Sequence, residues 1–214
     1  MTVLIIVLVA VGGLVALLVG VVLMAAGQIA GRLARARPPE AAEAERMEVY
    51  VEALCLGAGL PVPRLAVIDD AACGALAYGR GPRAATLAVT TGLLEDLAAV
   101  ELEGALAHLL ARVADGTTGR HTRLFALGLL GGPLGASWAA RRLDAARVVA
   151  ADIAAARLTR FPPGLVGALA RMEQSAPALA ARSPAIRHLW MHEALGPGRQ
   201  RVPVADRITV LSDL

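Results

Sequence analysis

Val100-Glu101-Leu102-Glu103-Gly104-Ala105-Leu106-Ala107-His108-Leu109-Leu110-Ala111-Arg112-Val113 is the stretch around which the rest of the chain is read. It has no Pro and, after Glu103, is apolar on nearly every side. That pattern predicts a long helix buried at the centre of a domain rather than one with a wet face. Two polar side chains interrupt the apolar run, His108 and Arg112. Residues four apart share a helix face, so both point toward the same neighbour.

On the N-terminal side, Thr91 is a plausible cap for a short helix reaching Leu97. Arg64–Ile68, Ala75–Tyr78 and Thr86–Thr90 read as short strands, the last two joined by Gly79-Arg80-Gly81-Pro82. Further back, Met47, Val51, Leu54 and Cys55 fall at helical spacing within Glu40–Leu56. Gly57-Ala58-Gly59 stops that helix, and Pro61 and Pro63 prevent its continuation. On the C-terminal side, Arg142–Leu158, Pro163–Gln174, Ala185–Glu193 and Val204–Ser212 are predicted helices. Pro163 suits a first turn, and Ser183-Pro184 repeats the start pattern of a cap followed by Pro. The fold class is therefore α+β, mainly helical, with a small sheet.

The N-terminus has a different character. Val3–Ala26 carries no charge over 24 positions, enough for a helix to cross a bilayer core of about 30 Å. It is too long for the apolar core of a cleaved signal, and no basic residue precedes it. Arg32, Arg35 and Arg37 follow directly, which predicts a single-pass anchor in the cell membrane with the domain on the cytoplasmic side. The expected organisation is an anchor over 1–27, a linker and helix start over 28–46, and a domain over 47–214. A second apolar stretch, Leu124–Ala140, contains Gly131-Gly132-Pro133. It reads either as a broken, membrane-associated hairpin or as a buried core helix.

Of the 214 residues, 57% are hydrophobic and 18% charged, which excludes a disordered chain. Two cysteines exclude a disulfide scaffold. All 21 basic residues are Arg, but the net charge is only +3 and aromatics are 3%, so no nucleic-acid partner is expected. Cys55 and Cys73 lack a CxxC partner and read as inert thiols. Asp69-Asp70 reads as a turn. His188 and His192 stand four apart on a predicted helix, a spacing more often structural than metal-binding without an intervening Glu.

From about Val51 to Leu214 the chain resembles the HtpX-like membrane zinc metallopeptidases, the group that includes the CAAX prenyl proteases. The resemblance rests on Gly59-Leu60-Pro61-Val62-Pro63 through Ile68-Asp69-Asp70, on Gly79-Arg80-Gly81-Pro82, and on Ala88-Val89-Thr90-Thr91-Gly92-Leu93-Leu94. It continues through Glu101-Leu102-Glu103-Gly104-Ala105-Leu106-Ala107-His108 and ends with Asp206-Arg207-Ile208. It implies a zincin-like domain in which the helix quoted above carries HExxH. Two His would bind zinc, and the Glu between them would activate water.

Here the motif reads His108-Leu109-Leu110-Ala111-Arg112. Leu109 stands at the general base and cannot take a proton. Arg112 stands at the second ligand and has no lone pair to offer. The family's third ligand, a Glu in E-x-x-A-D, aligns with Val148, while its Asp is retained as Asp152. The resemblance implies zinc, yet the residues predict none. The remnant of the family site is His108, Leu109, Arg112, Val148 and Asp152, with no catalytic residue. An Arg112–Asp152 ion pair filling the metal position is one expectation. The other has Arg112 facing solvent and His108 satisfied in the core.

The strand at Ala85, Thr86, Leu87, Ala88 and Val89 is a candidate peptide-binding edge, because strand addition needs backbone rather than particular side chains. The function expected is a membrane-anchored, catalytically inactive metallopeptidase homologue acting as a scaffold, regulator or binding module for a membrane protein or peptide. The alternatives are an active protease built on His108, Asp152 and His121 or a C-terminal histidine, and a packing subunit of a larger membrane complex.

Overall fold

The computed structural model describes residues 2–132, 134–135, 138, 145–180, 184–191 and 202–214. The first helix, α1, runs Thr2–Leu33. Over Val7–Leu33 it is long and apolar enough to cross a membrane. Its outer part is exposed on all sides, with Leu8, Val9 and Leu17 all above half exposure, as expected for a surface meeting lipid.

The stretch expected as a linker is built into the domain instead. Helix α1 continues to Leu33, and Ala26, Ala30 and Ala34 are buried. The approach is close because α1 presents glycine: a Cβ on Gly31 would lie 2.8 Å from the Tyr78 hydroxyl oxygen. Ala36–Arg37 forms a short strand, β1, paired antiparallel with Val67 and Ile68. Arg37 fixes it with bonds to Glu43 at 2.7 and 2.8 Å and to Asp69 at 2.8 Å.

Helix α2 spans Ala41–Ala58 and ends at Gly59, whose φ of 65° gives glycine an advantage at the cap. Strands β2 (Arg64–Ile68), β3 (Ala75–Gly79) and β4 (Ala85–Thr90) complete a four-stranded mixed sheet ordered β1-β2-β4-β3. Strand β4 pairs parallel with β2 and antiparallel with β3. This corrects the expectation for Ala85, Thr86, Leu87, Ala88 and Val89: that strand is internal, both sides of its backbone are paired, and no peptide can add to it. Thr90, rather than Thr91, caps the short α3 (Thr91–Asp96), accepting from the Leu93 amide at 3.1 Å.

Side chains alternate along the strands, so the sheet has two covered faces. Val67, Ala75, Ala77, Leu87 and Val89 join the larger core with α2 and α4 (Ala99–Ala114). Ala66, Ile68, Leu76, Tyr78 and Ala88 form a second core with the end of α1 and with Phe125 of α5 (Thr117–Leu130). Helix α4 is buried nearly throughout, as its composition predicts.

It is flanked by α6 (Ala145–Thr159) and α7 (Pro162–Ala180), and α8 (Val204–Ser212) packs on those two helices. A 3-10 segment, Pro184–Leu189, stands where a longer helix is predicted. Of the stretch Leu124–Ala140, residues up to Leu130 belong to α5, and much of the remainder lies outside the described residues.

The α4–α7 crossing is glycine to backbone. A Cβ on Gly104 would sit 2.6 Å from the Leu165 nitrogen, and one on Gly164 would sit 2.3 Å from the Val100 carbonyl oxygen. Gly104→Ala is expected to lower stability by about 1–3 kcal/mol through overpacking, despite alanine's better helix propensity. A thermal melt of the detergent-solubilised variant checks this, and a midpoint at or above that of the native chain would refute it.

Candidate functional site

Four elements meet where the sequence places the remnant site. Helix α4 supplies His108 and Arg112, α6 supplies Val148 and Asp152, α8 supplies Arg207, and the 3-10 segment supplies the carbonyl of Leu189. Asp152 is the hub. Arg207 grips it with two parallel bonds, Nε to Oδ2 and Nη2 to Oδ1, both 2.7 Å. His108 Nδ1 lies 2.8 Å from Asp152 Oδ1. That contact is close but poorly aligned, and neither ring nitrogen of His108 makes a well-directed hydrogen bond among the described residues. His108, Asp152 and Arg207 are each no more than 1% exposed.

Arg112 does not reach Asp152. Its Nη1 donates to the Leu189 carbonyl at 3.1 Å, and its Nη2 lies 3.1 Å from His121 Nδ1. The expected Arg112–Asp152 ion pair is therefore overturned, because Arg207 already occupies both carboxylate oxygens. The solvent-facing alternative for Arg112 is overturned too, since the side chain is 2% exposed. A guanidinium can only donate, so His121 Nδ1 is the acceptor and is unprotonated. His121 in turn presents its carbonyl to His188 Nε2 at 3.3 Å.

Burial and charge set the protonation states. Burial alone would raise the Asp152 carboxyl, but the Arg207 bonds and His108 outweigh it and hold the group at about 2. Burial pushes His108 below the ordinary histidine range, with Asp152 opposing. Burial and the neighbouring Arg112 charge bring His121 down to about 2. Arg112 is lowered to about 10 by burial and by Arg207, and it remains charged at neutral pH.

Leu109 is fully buried in the larger core, and Val148 is 5% exposed one helical turn before Asp152. Among the described residues, no three His, Cys, Asp or Glu converge as a metal would need. A cavity of about 510 Å³ lies elsewhere, lined by Leu33, Arg35, Asp70, Ile186 and Trp190 among others.

No family model matches the chain. Curated proteins do. A protease HtpX homolog of Acidiphilium cryptum is 33% identical over 192 residues, covering 73% of this chain and 67% of the relative. One from Tropheryma whipplei is 29% identical over 229 residues, covering 88% and 79%. The chain belongs to the family of HtpX homologues. Its own N-terminal helix, long and apolar enough to cross a membrane, stands ahead of a mainly helical domain with a small mixed sheet.

In this HtpX homologue the structure brings His108, Asp152 and Arg112 into one buried cluster and adds Arg207, to which sequence reasoning assigned no role. The clue was its spacing. Arg207 sits three residues after Val204 and four before Leu211, a charge on the buried stripe of α8. The other candidates do not join the cluster. Asp69 pairs with Arg37, while Asp70 Oδ1 accepts from the Ala72 amide at 2.9 Å, so the two serve a turn and no carboxylate dyad forms. Cys55 and Cys73 are buried and free, and burial raises the Cys73 thiol to about 12. The expected pairing of His188 with His192 lies partly outside the described residues.

Proposed function

We propose that this HtpX homologue is a membrane-anchored, catalytically inactive member of its family that works as a scaffold or regulator of a membrane protein, its domain on the cytoplasmic side. The observation that carries this reading is Arg112. At the position of the second metal ligand stands a buried cation whose donors are engaged by Leu189 and His121. The residues present do not fit zinc. One imidazole remains, the nearby carboxylate is held by Arg207, and the general-base and third-ligand positions are the buried Leu109 and Val148. Catalytic zinc generally requires three protein ligands. His108, Asp152 and His121 also supply no proton acceptor facing solvent, which weighs against a protease of unusual design.

Elemental mass spectrometry on detergent-purified protein, beside His108→Ala, tests the reading. Less than about a tenth of an equivalent of zinc is expected in both. Stoichiometric zinc that His108→Ala abolishes would restore the protease.

A second reading, a packing subunit of a membrane complex, draws on exposed Leu129, Leu130, Leu134 and Trp138 beyond the buried part of α5. Purification with one stoichiometric membrane partner would favour it.

A further inference from the structure

Strand β3 has one side paired to β4, and its outer side is also taken. Trp190 bridges Leu76 in antiparallel fashion, and the Met191 amide donates to the Ala75 carbonyl at 2.8 Å. The occupant is the chain itself, a strap made of the 3-10 segment with Trp190 and Met191. Ile186, Leu189, Trp190 and Met191 are all 4% exposed or less. The strap is thus seated in the second core on one side and hydrogen-bonded to β3 on another.

Two of its carbonyls meet the buried cluster. Arg112 Nη1 donates to the Leu189 carbonyl at 3.1 Å, and Arg207 Nη1 to the Met191 carbonyl at 3.2 Å. The two arginines differ in what else holds them. Arg207 is neutralised by Asp152 and would stay in place without the strap. Arg112 makes no ion pair among the described residues; its partners are a carbonyl and an imidazole. A buried guanidinium satisfied only by neutral acceptors cannot release one of them without leaving both sides bare. Arg112 and the strap therefore hold each other.

We propose that Arg112 is the pin of an intramolecular lock: through the Leu189 carbonyl it fastens the strap over the outer edge of β3. The lock rests on contacts of Arg112 and not on the reading of inactivity. Zinc found in the purified protein would overturn that reading without touching the exchange result below, and the reverse also holds.

Hydrogen exchange on the full chain in detergent tests the lock. In Arg112→Met, the Met191 amide is expected to exchange at least about tenfold faster, while amides of β4 such as Ala88 change by less than about twofold. Unchanged Met191 protection overturns the proposal. If Arg112→Met does not fold, Arg112→Lys carries the same two outcomes, because an ammonium keeps the charge but cannot span Leu189 and His121 as a planar fork does. Loss of protection in strap and β4 together in both variants also overturns it, since Arg112 would then be a general core element and no pin.

Discussion

Asp152→Ala is expected to destabilise the folded domain by about 3–5 kcal/mol, the range for breaking a buried pair by removing one partner. The cost arises less from the bonds lost than from what they leave behind. Arg207, 1% exposed, would keep its charge in the core with the Met191 carbonyl as its remaining hydrogen-bond partner among the described residues. His108 would lose its only close polar neighbour among the described residues. Replacing both partners, as in Asp152→Ala with Arg207→Met, should recover most of the loss, because a buried pair exchanged for apolar groups of similar volume is often neutral or better. Thermal melts of the three proteins in one detergent decide the matter. A single variant that melts within about 2 °C of the native chain would mean that the cluster carries no such interdependence.

Acidification should be the second large effect. His121 is held neutral, its folded value near 2 against about 6.5 when unfolded. The unfolded chain therefore binds the extra proton as pH falls below about 6.5, and unfolding is favoured by roughly 1.4 kcal/mol for each further pH unit. His188, brought to about 4 by burial, adds to the slope down to that pH and then stops; it is partly exposed, so its share is the smaller. Asp152 has the same sign lower down: its stabilisation is present above about 3.8 and is lost toward 2. Stability should be flat from pH 8 to about 7 and fall steadily below about 6.5. Urea titrations across that range, repeated with His121→Phe, measure the slope. A variant that retains the full slope would remove His121 as its source.

The sequence made the framework legible where local rules decide it. The membrane helix, the strands and the central helix follow from apolar length, alternation and all-round burial. It was silent where tertiary partners decide. Nothing local says that β4 lies inside the sheet, since a strand's position depends on which neighbour reaches it first and not on its own side chains. That Leu109, Arg112 and Val148 can neither ligate a metal nor take a proton could be read residue by residue. The partner of Asp152 could not, because Arg112 and Arg207 are both arginines of suitable reach and only packing chooses between them. The caps show the same limit on a smaller scale: Thr90 and Thr91 are chemically equal, and the backbone angle at the strand end selects Thr90.

The seamless passage of α1 from exposed to buried has a geometric corollary. With Gly31 seated against Tyr78 and β1 following two residues after the helix ends, nothing resembling a tether separates the lipid phase from the sheet. The domain is mounted on a stiff mast. A body of this size is about 40 Å across, so the volume it can patrol is a thin layer against the bilayer. A ligand free in bulk solution gains nothing from that confinement. Any partner embedded in the same membrane would meet the domain at a fixed height, in two dimensions instead of three.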